Sequence, residues 1–387
     1  MSRVKIGIVG VGNIGTAHAF SIYNGEIDGL ELSALCDISE KRRSELEKDF
    51  SGVKIFSCYE DMIRSGEIDA IIISTPHYFH PVIAYDAFNN GLHVLSEKPI
   101  GVYTENMDKL FEAQQRSGKC FCVMFNQRTN KLFKEAKRIV DNGEIGEIKR
   151  SLWIVTNWYR TQAYYDSGDW RATWQGEGGG VLLNQAPHNL DLWQWICGMP
   201  KSIYAVCKEA SGHHIEVEDD ATIFAEYENG ASGVFITSTC DYAGTNRFEI
   251  TGTKGKLVLE KEKLTVTRLS CDDREFCIGK SDAPSETEQI ILDEEYNGHR
   301  NILQNFANAI IRGEKLISPA KEAMNELLIS NAAYLSSWKN KKIDIPFDEV
   351  EYKSILSEKI QKSSFHKNIN EENITDKKYS SRWKTKW

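Results

Sequence analysis

The stretch Val4-Lys5-Ile6-Gly7-Ile8-Val9 runs straight into Gly10-Val11-Gly12-Asn13-Ile14-Gly15, and this junction limits the folds open to the chain more than any other feature. The first six residues have the apolar bias of a strand buried on both faces. Gly10 permits the tight turn out of that strand, and Gly12 lets the backbone come close to a pyrophosphate. Gly15 lets the next helix pack close, so that amides at its start, around Asn13 and Ile14, face phosphate oxygens. A helix-compatible run from Thr16 to Tyr23 follows, and Leu30 to Asp37 reads as a second strand. Strand, glycine turn, helix and strand in this order predict a dinucleotide site. Asp37 ends the second strand, where a carboxylate accepts hydrogen bonds from both ribose hydroxyls and repels a 2′-phosphate. The cofactor expected is therefore NAD. Lys41, Arg42 and Arg43 follow closely: they have the charge to host such a phosphate, or they form a solvated first helical turn. Arg42 is counted among the cofactor contacts.

At 387 residues the chain exceeds one ordinary core. We expect an NAD-binding domain over residues 1–125, a substrate-binding and oligomerisation domain over 126–365, and a polar tail over 366–387. The net charge of −9 argues against a nucleic-acid surface, which needs concentrated Lys and Arg. No apolar run reaches membrane-span length, and no leader is expected because residue 7 already lies inside the first strand. Nine cysteines show no metal-like spacing apart from Cys120-x-Cys122, which sits in a strand-like run. They read as reduced thiols of a cytoplasmic protein.

Up to about residue 125 strands alternate with helices. Ala70 to Pro76 and His93 to Pro99 are buried strands stopped by prolines, and Phe121 to Phe125 is a fifth. Pro81 to Asn90 between them reads as a helix capped by Gly91. The expected fold is α/β, a doubly wound parallel Rossmann sheet, whose ligands bind outside the carboxyl ends of the strands. Gly10, Asp37, Ser74, Glu97, Lys98 and Asn126 fall along that rim and are expected to bind the cofactor, together with Thr75, Pro76 and His80. After Ile148 long β-rich runs take over, with hairpin signals at Asn229-Gly230 and at Gly252 to Gly255. These predict an α+β domain with an open-faced, mostly antiparallel sheet, and self-association through its apolar face. Asn301 to Arg312 and Pro319 to Trp338 read as amphipathic helices returning towards the first domain. The tail, ending Trp383-Lys384-Thr385-Lys386-Trp387, is either disordered or ordered by a neighbouring subunit.

Two further clusters carry chemistry. In Glu97-Lys98-Pro99 the proline turns the backbone off the strand direction, so that Lys98 enters the cleft beside the expected nicotinamide. Such a triplet alone also suits a surface turn. In Gly178-Gly179-Gly180 through Asn184 to His188 and Asp191, serial glycines permit close approach to a ligand or cofactor, and Pro187 suits a first helical turn. His188 then lies near a helix N-terminus, where the dipole favours neutral imidazole, and Asn184 shares its face. A lone histidine there is also a common structural residue. His188-x-x-Asp191 offers two metal-type ligands and no third, so no metal is expected.

These three motifs, in this order and spacing, resemble the Gfo/Idh/MocA oxidoreductase family over residues 4 to 345. The resemblance implies NAD(P)-dependent redox chemistry at a sugar or cyclitol carbon, with Lys98 as catalytic or substrate-orienting lysine and His188 as general acid/base. Asn184, counted with them as a catalytic and substrate-binding residue, stands where many members have an aspartate: an amide orients a ligand but brings no charge. Between Thr156 and Trp174 aromatic rings and arginines crowd together: Trp158, Tyr159, Arg160, Tyr164, Trp170, Arg171 and Trp174. Aromatic faces cover sugar C–H faces while polar groups reach hydroxyls, or the loop seals a domain junction. Trp158, Tyr159, Arg160, Tyr164 and Trp174 are assigned to substrate, and Trp170 and Arg171 resemble a stretch bordering the nicotinamide. This version is similar to the branch oxidising intact sugars, including levoglucosan and the C3 position of glucosides. The expected reaction is NAD-dependent oxidation of a pyranose hydroxyl. Inositol oxidation, a redox-assisted glycosidase or epimerase, and an NADH sensor are the alternatives, the last disfavoured by the presence of both Lys98 and His188.

Overall fold

The computed structural model describes residues 3–277, 284–291 and 296–366, so all of the expected tail except His366 lies outside the described residues. Six short strands form the first sheet: β1 (Val4–Val9), β2 (Leu30–Cys36), β3 (Lys54–Phe56), β4 (Ala70–Ile73), β5 (His93–Ser96) and β6 (Phe121–Val123). All neighbours are parallel, in the order β3-β2-β1-β4-β5-β6. This is the doubly wound arrangement expected, with one strand more than the sequence reading found. Lys54–Phe56 has only three residues, all partly or fully exposed, and so carries no apolar run.

Among the described residues the second sheet holds nine strands: β7 (Ile148–Val155), β8 (Ser202–Glu209), β9 (Glu218–Glu226), β10 (Ser232–Ser238), β11 (Asn246–Gly252), β12 (Gly255–Glu260), β13 (Lys263–Leu269), β14 (Ser285–Ile291) and β15 (Ile343–Asp344). Its order is β14-β13-β12-β11-β7-β10-β9-β8-β15, antiparallel throughout except where β7 meets β10. Both hairpins fall where the glycines signalled them.

The inner face of this sheet is covered by the helix Pro187–Cys197, whose Trp193 stacks on Phe235 and donates to Ser151 Oγ at 2.9 Å. One core runs from the first sheet into the second, through Val94, Phe125, Trp153 and Leu190. On the opposite face of the first sheet, Ile302, Leu303 and Phe306 of the helix Gly298–Arg312 fill the core with Ile6, Ile8 and Ile72. That helix does return to the first sheet. The helix Ala320–Lys339 does so only at its start, where Pro319 bridges Cys122, and then lies along β8 through Ser336 and Ser337. A further helix, Glu349–Lys362, was not anticipated.

Candidate active site

The glycine turn is built as its sequence implies. Gly10 has φ +81°, and a Cβ there would stand 2.7 Å from the Ser74 carbonyl oxygen. A Cβ on Gly15 would meet the Gly10 oxygen at 2.2 Å, which is how close the helix Asn13–Tyr23 packs. Gly12 faces open space. The helix has no side-chain cap and no acidic residue in its first turn, so its leading amides, around Asn13 and Ile14, suit a phosphate. Ser74 Oγ pins the turn by donating to Val9 and Gly10 oxygens. Asp37 accepts from the Val11 amide on Oδ2 and from the Ser39 amide on Oδ1, both at 2.9 Å, which fixes its carboxylate beside the turn. Arg42 spends its guanidinium on Val11 O, Thr16 Oγ1 and Glu45, and Arg43 donates to Asp37 O and Ile38 O. Arg42 is thus taken up by protein partners on all three of its nitrogens, and Arg43 turns Nη1 to backbone oxygens. The residues present fit NAD.

Along the rim, His80 bonds both Thr75 O and Pro99 O at 2.7 Å and so ties the turn after β4 to the Lys98-Pro99 turn. Pro76 continues that turn, and its oxygen accepts the Phe79 amide. Glu97 is buried against His18 Nε2 at 2.8 Å. Although burial opposes it, the His18 contact holds the Glu97 carboxyl below its usual range. Asn126 meets His299 at 3.1 Å, and its backbone oxygen accepts from the Tyr296 hydroxyl.

Lys98 and the His188 segment meet. Lys98 Nζ donates to the backbone oxygen of Asn184 at 2.6 Å. Asn184 lies in the turn before the helix that carries His188, and Phe125 packs edge-on against the His188 ring. Burial first, then the charges of Lys98 and His299, hold the imidazole of His188 well below the usual histidine range. The neutral imidazole is thereby favoured. Burial also draws the Lys98 ammonium below its ordinary value, against the pull of Glu97, Glu177 and Glu326, while Arg160 adds to the lowering.

Glu177, missed in the sequence, is buried between two glycines; it accepts the Asn184 side-chain amide on Oε1 and the Ala172 amide on Oε2. The serial glycines serve a purpose other than ligand approach. A Cβ on Gly180 would stand 1.9 Å from Glu218 O, one on Gly179 2.2 Å from the Tyr334 hydroxyl and one on Gly178 2.2 Å from Val102 Cγ1, so the loop packs both on its own domain and on the first. Buried Glu218 gathers the amides of Gly180 and Leu182 with the Tyr334 hydroxyl. Asp191 forms a buried bidentate pair with Arg128, which removes it from any role as a metal ligand.

Of the aromatic loop, Tyr164 is central: its hydroxyl donates to Asn184 Oδ1, and the guanidiniums of Arg160 and Arg171 lie 5.0 and 4.8 Å from its ring. Trp158 is buried, with its indole N–H on Asn189 Oδ1. Trp170 and Arg171 dock on the first sheet's rim through His77, whose ring meets Trp170 edge-on and whose Nδ1 bonds Glu177 O. Two assigned substrate residues lie elsewhere. Trp174 is buried against Tyr334 and Trp338, a core position that seals the junction. Tyr159 turns its ring to the exposed Tyr242. His213, Asp219 and Cys240 bring three metal-type atoms together, but His213 commits both ring nitrogens, to Asp219 and Arg160 O, and burial pushes the Cys240 thiol up to about 11.

Two family profiles match this chain: an oxidoreductase family with an NAD-binding Rossmann fold over residues 4–125, and the GFO/IDH/MocA C-terminal domain over residues 133–258. The chain belongs to the Gfo/Idh/MocA family. As a member it is an NAD-dependent oxidoreductase. Among its relatives is a myo-inositol 2-dehydrogenase of Thermotoga maritima, 24% identical over 85% of this chain and 95% of that protein. An inositol 2-dehydrogenase of Salmonella typhimurium is 27% identical over 65% of this chain and 72% of that protein. The WlbA dehydrogenase of Bordetella pertussis, solved with NADH and UDP-GlcNAcA, is 26% identical with a TM-score of 0.75 over 89% of this chain and 100% of that one. A levoglucosan dehydrogenase solved with NADH and levoglucosan shares the fold at 22% identity and a TM-score of 0.74, covering 89% of this chain and 100% of that one.

Proposed function

We propose that this family member oxidises a secondary hydroxyl of a pyranose, at C3 of a glucoside, C-glucoside or anhydrosugar, to a keto sugar. The observation that carries the reading is the contact of Lys98 with the Asn184 turn one helical turn ahead of His188. When bound, NAD supplies the acceptor for the hydride that leaves the carbinol carbon. His188, neutral in its buried setting, takes the hydroxyl proton. The Lys98 ammonium faces the same oxygen and stabilises the negative charge that develops there. Asn184, fixed by Glu177 and Tyr164, orients a neighbouring hydroxyl. Arg160, Tyr164 and Trp158 line the side on which the sugar ring lies. The choice of C3 rests on the similarity of Tyr164 to Arg171 and of Asn184 to His188 to the sugar-oxidising branch.

A second reading, oxidation of a cyclitol, is favoured by the inositol 2-dehydrogenases among the relatives. Glucosides, levoglucosan and inositols are to be offered in turn with NAD, following NADH absorbance, and the new carbonyl located by NMR. Turnover of inositol but no pyranose replaces the first reading with the second.

The sheet's outer face supports self-association with a second copy. Across β7, β10, β9 and β8 it presents the row Leu152, Val234, Phe224 and Tyr204, with Ile154, Ile236, Thr222 and Val206 beside it. Phe224 and Val206 are 43% and 46% exposed, too much apolar surface to leave in water.

A further inference from the structure

We propose that Glu326 governs the charge of Lys98 from behind the cleft, as a positioning residue that never touches substrate. This rests on the reading of Lys98 as the group that stabilises the alkoxide. The helix Ala320–Lys339 passes behind the site with a buried polar face. Glu322 reaches Arg128, Asn325 donates to Gln194, Asn331 donates to Val102 O, and Tyr334 donates to Glu218. Within this face Glu326 is fully buried, and neither carboxyl oxygen has a hydrogen-bond partner among the described residues. A carboxyl so placed is costly unless a nearby charge answers it. Among the described residues the cation acting on Glu326 is Lys98, and Glu326 in turn acts on Lys98.

The surrounding charges leave this pairing open. Towards Lys98 face Glu97, already held by His18, Glu177, already held by Asn184 and Ala172, and the cation Arg160. The imidazoles of His77, His80, His188 and His299 also feel the Lys98 charge. Towards Glu326 faces Asp191, whose own charge is answered by Arg128. Burial and Asp191 push the Glu326 carboxyl well above its usual range, while Lys98 works the other way. An ionised Glu326 keeps Lys98 an ammonium, and a neutral Glu326 lets that ammonium lose its proton more readily.

Glu326→Gln keeps the shape and removes the ionisable carboxyl. The alkaline limb of its kcat/KM profile is expected to move down by about one pH unit, a roughly tenfold loss on the high-pH flank. NAD affinity, read by tryptophan fluorescence, stays at the parent value. Glu326→Asp restores the charge and returns the limb towards the parent. Without substrate or cofactor, the infrared carboxyl band that Glu326→Gln deletes is expected to persist to higher pH in Lys98→Met, because linkage between the two groups is reciprocal. Superposable profiles for Glu326→Gln and the parent, or a carboxyl titration unmoved by Lys98→Met, overturn the inference. If Lys98→Met itself turns over at the parent rate, the alkoxide reading of Lys98 falls as well; a crippled Lys98→Met leaves that reading standing.

Discussion

The Asn184 side-chain amide donates to Glu177 and its carbonyl accepts from Tyr164, while its backbone oxygen holds Lys98. The carboxyl that an aspartate would bring to this position is therefore present one hydrogen bond away, on Glu177. Asn184→Asp alone sets two carboxylates against each other and is expected to lower kcat about tenfold at neutral pH, with recovery in mild acid as one carboxyl takes up a proton. Adding Glu177→Gln swaps amide and carboxylate and is expected to recover most of that loss; a double variant no better than Asn184→Asp contradicts the pairing. At the cofactor end, Asp37 is fixed by two backbone amides and both neighbouring arginines are engaged. NAD is accordingly expected to give the higher kcat/KM, and Asp37→Ala to lose about tenfold or more with NAD, the worth of a charged hydrogen bond. A better kcat/KM with NADP in the parent contradicts this account. Most of these positions were legible because their chemistry is local: a glycine spacing, a triplet at a strand end, a histidine after a proline. Glu177, Glu218 and Glu326 were not: the burial of an acid follows from tertiary packing, and only for Glu218 do the hydrogen-bond partners themselves lie far along the chain. A local trace existed for Glu177 alone, an acid set between two glycines in Gly176-Glu177-Gly178.

At the scale of elements, the glycine loop from Gly178 to Gly180 is held by β9 and the helix Ala320–Lys339 through one carboxyl, Glu218. Burial pushes that carboxyl up to about 8, against the three groups donating to it. The folded protein thus keeps a proton that the unfolded chain releases near the ordinary carboxyl range. Its contribution to stability is greatest in mild acid and is lost as pH rises through about 8. Thermal unfolding is expected to show a Tm lower by roughly a few degrees at pH about 9 than at about 5, and Glu218→Gln to flatten that slope. A slope unchanged by the substitution contradicts the role. Long strands and hairpins up to β12 were readable from alternation and Asn-Gly or Gly-Thr-Lys-Gly turns, whereas the seven-residue β13 and β14 were not read. The three-residue β3 and the two-residue β15 were not, since each exists only by pairing with a neighbour. The course of the helix Ala320–Lys339 was misjudged for a similar reason: twelve of its residues are buried, so no single wet face shows which sheet it follows.

For the whole molecule, the outer face of the second sheet and the cleft on the inner side make separate demands. Light scattering is expected to find an oligomer, and Phe224→Glu with Val206→Glu to break it while NAD affinity remains; a monomeric parent contradicts the covered face. The cleft depends on a lysine from one sheet's rim and a histidine from a helix on the other sheet coming to the same place. Transient kinetics of His188→Ala and Lys98→Met, with NAD binding titrated in the same samples, tests that directly. Each substitution is expected to cut hydride transfer by ~10²–10⁴-fold while the NAD dissociation constant stays within about twofold of the parent. Near-parental turnover in either variant contradicts the account.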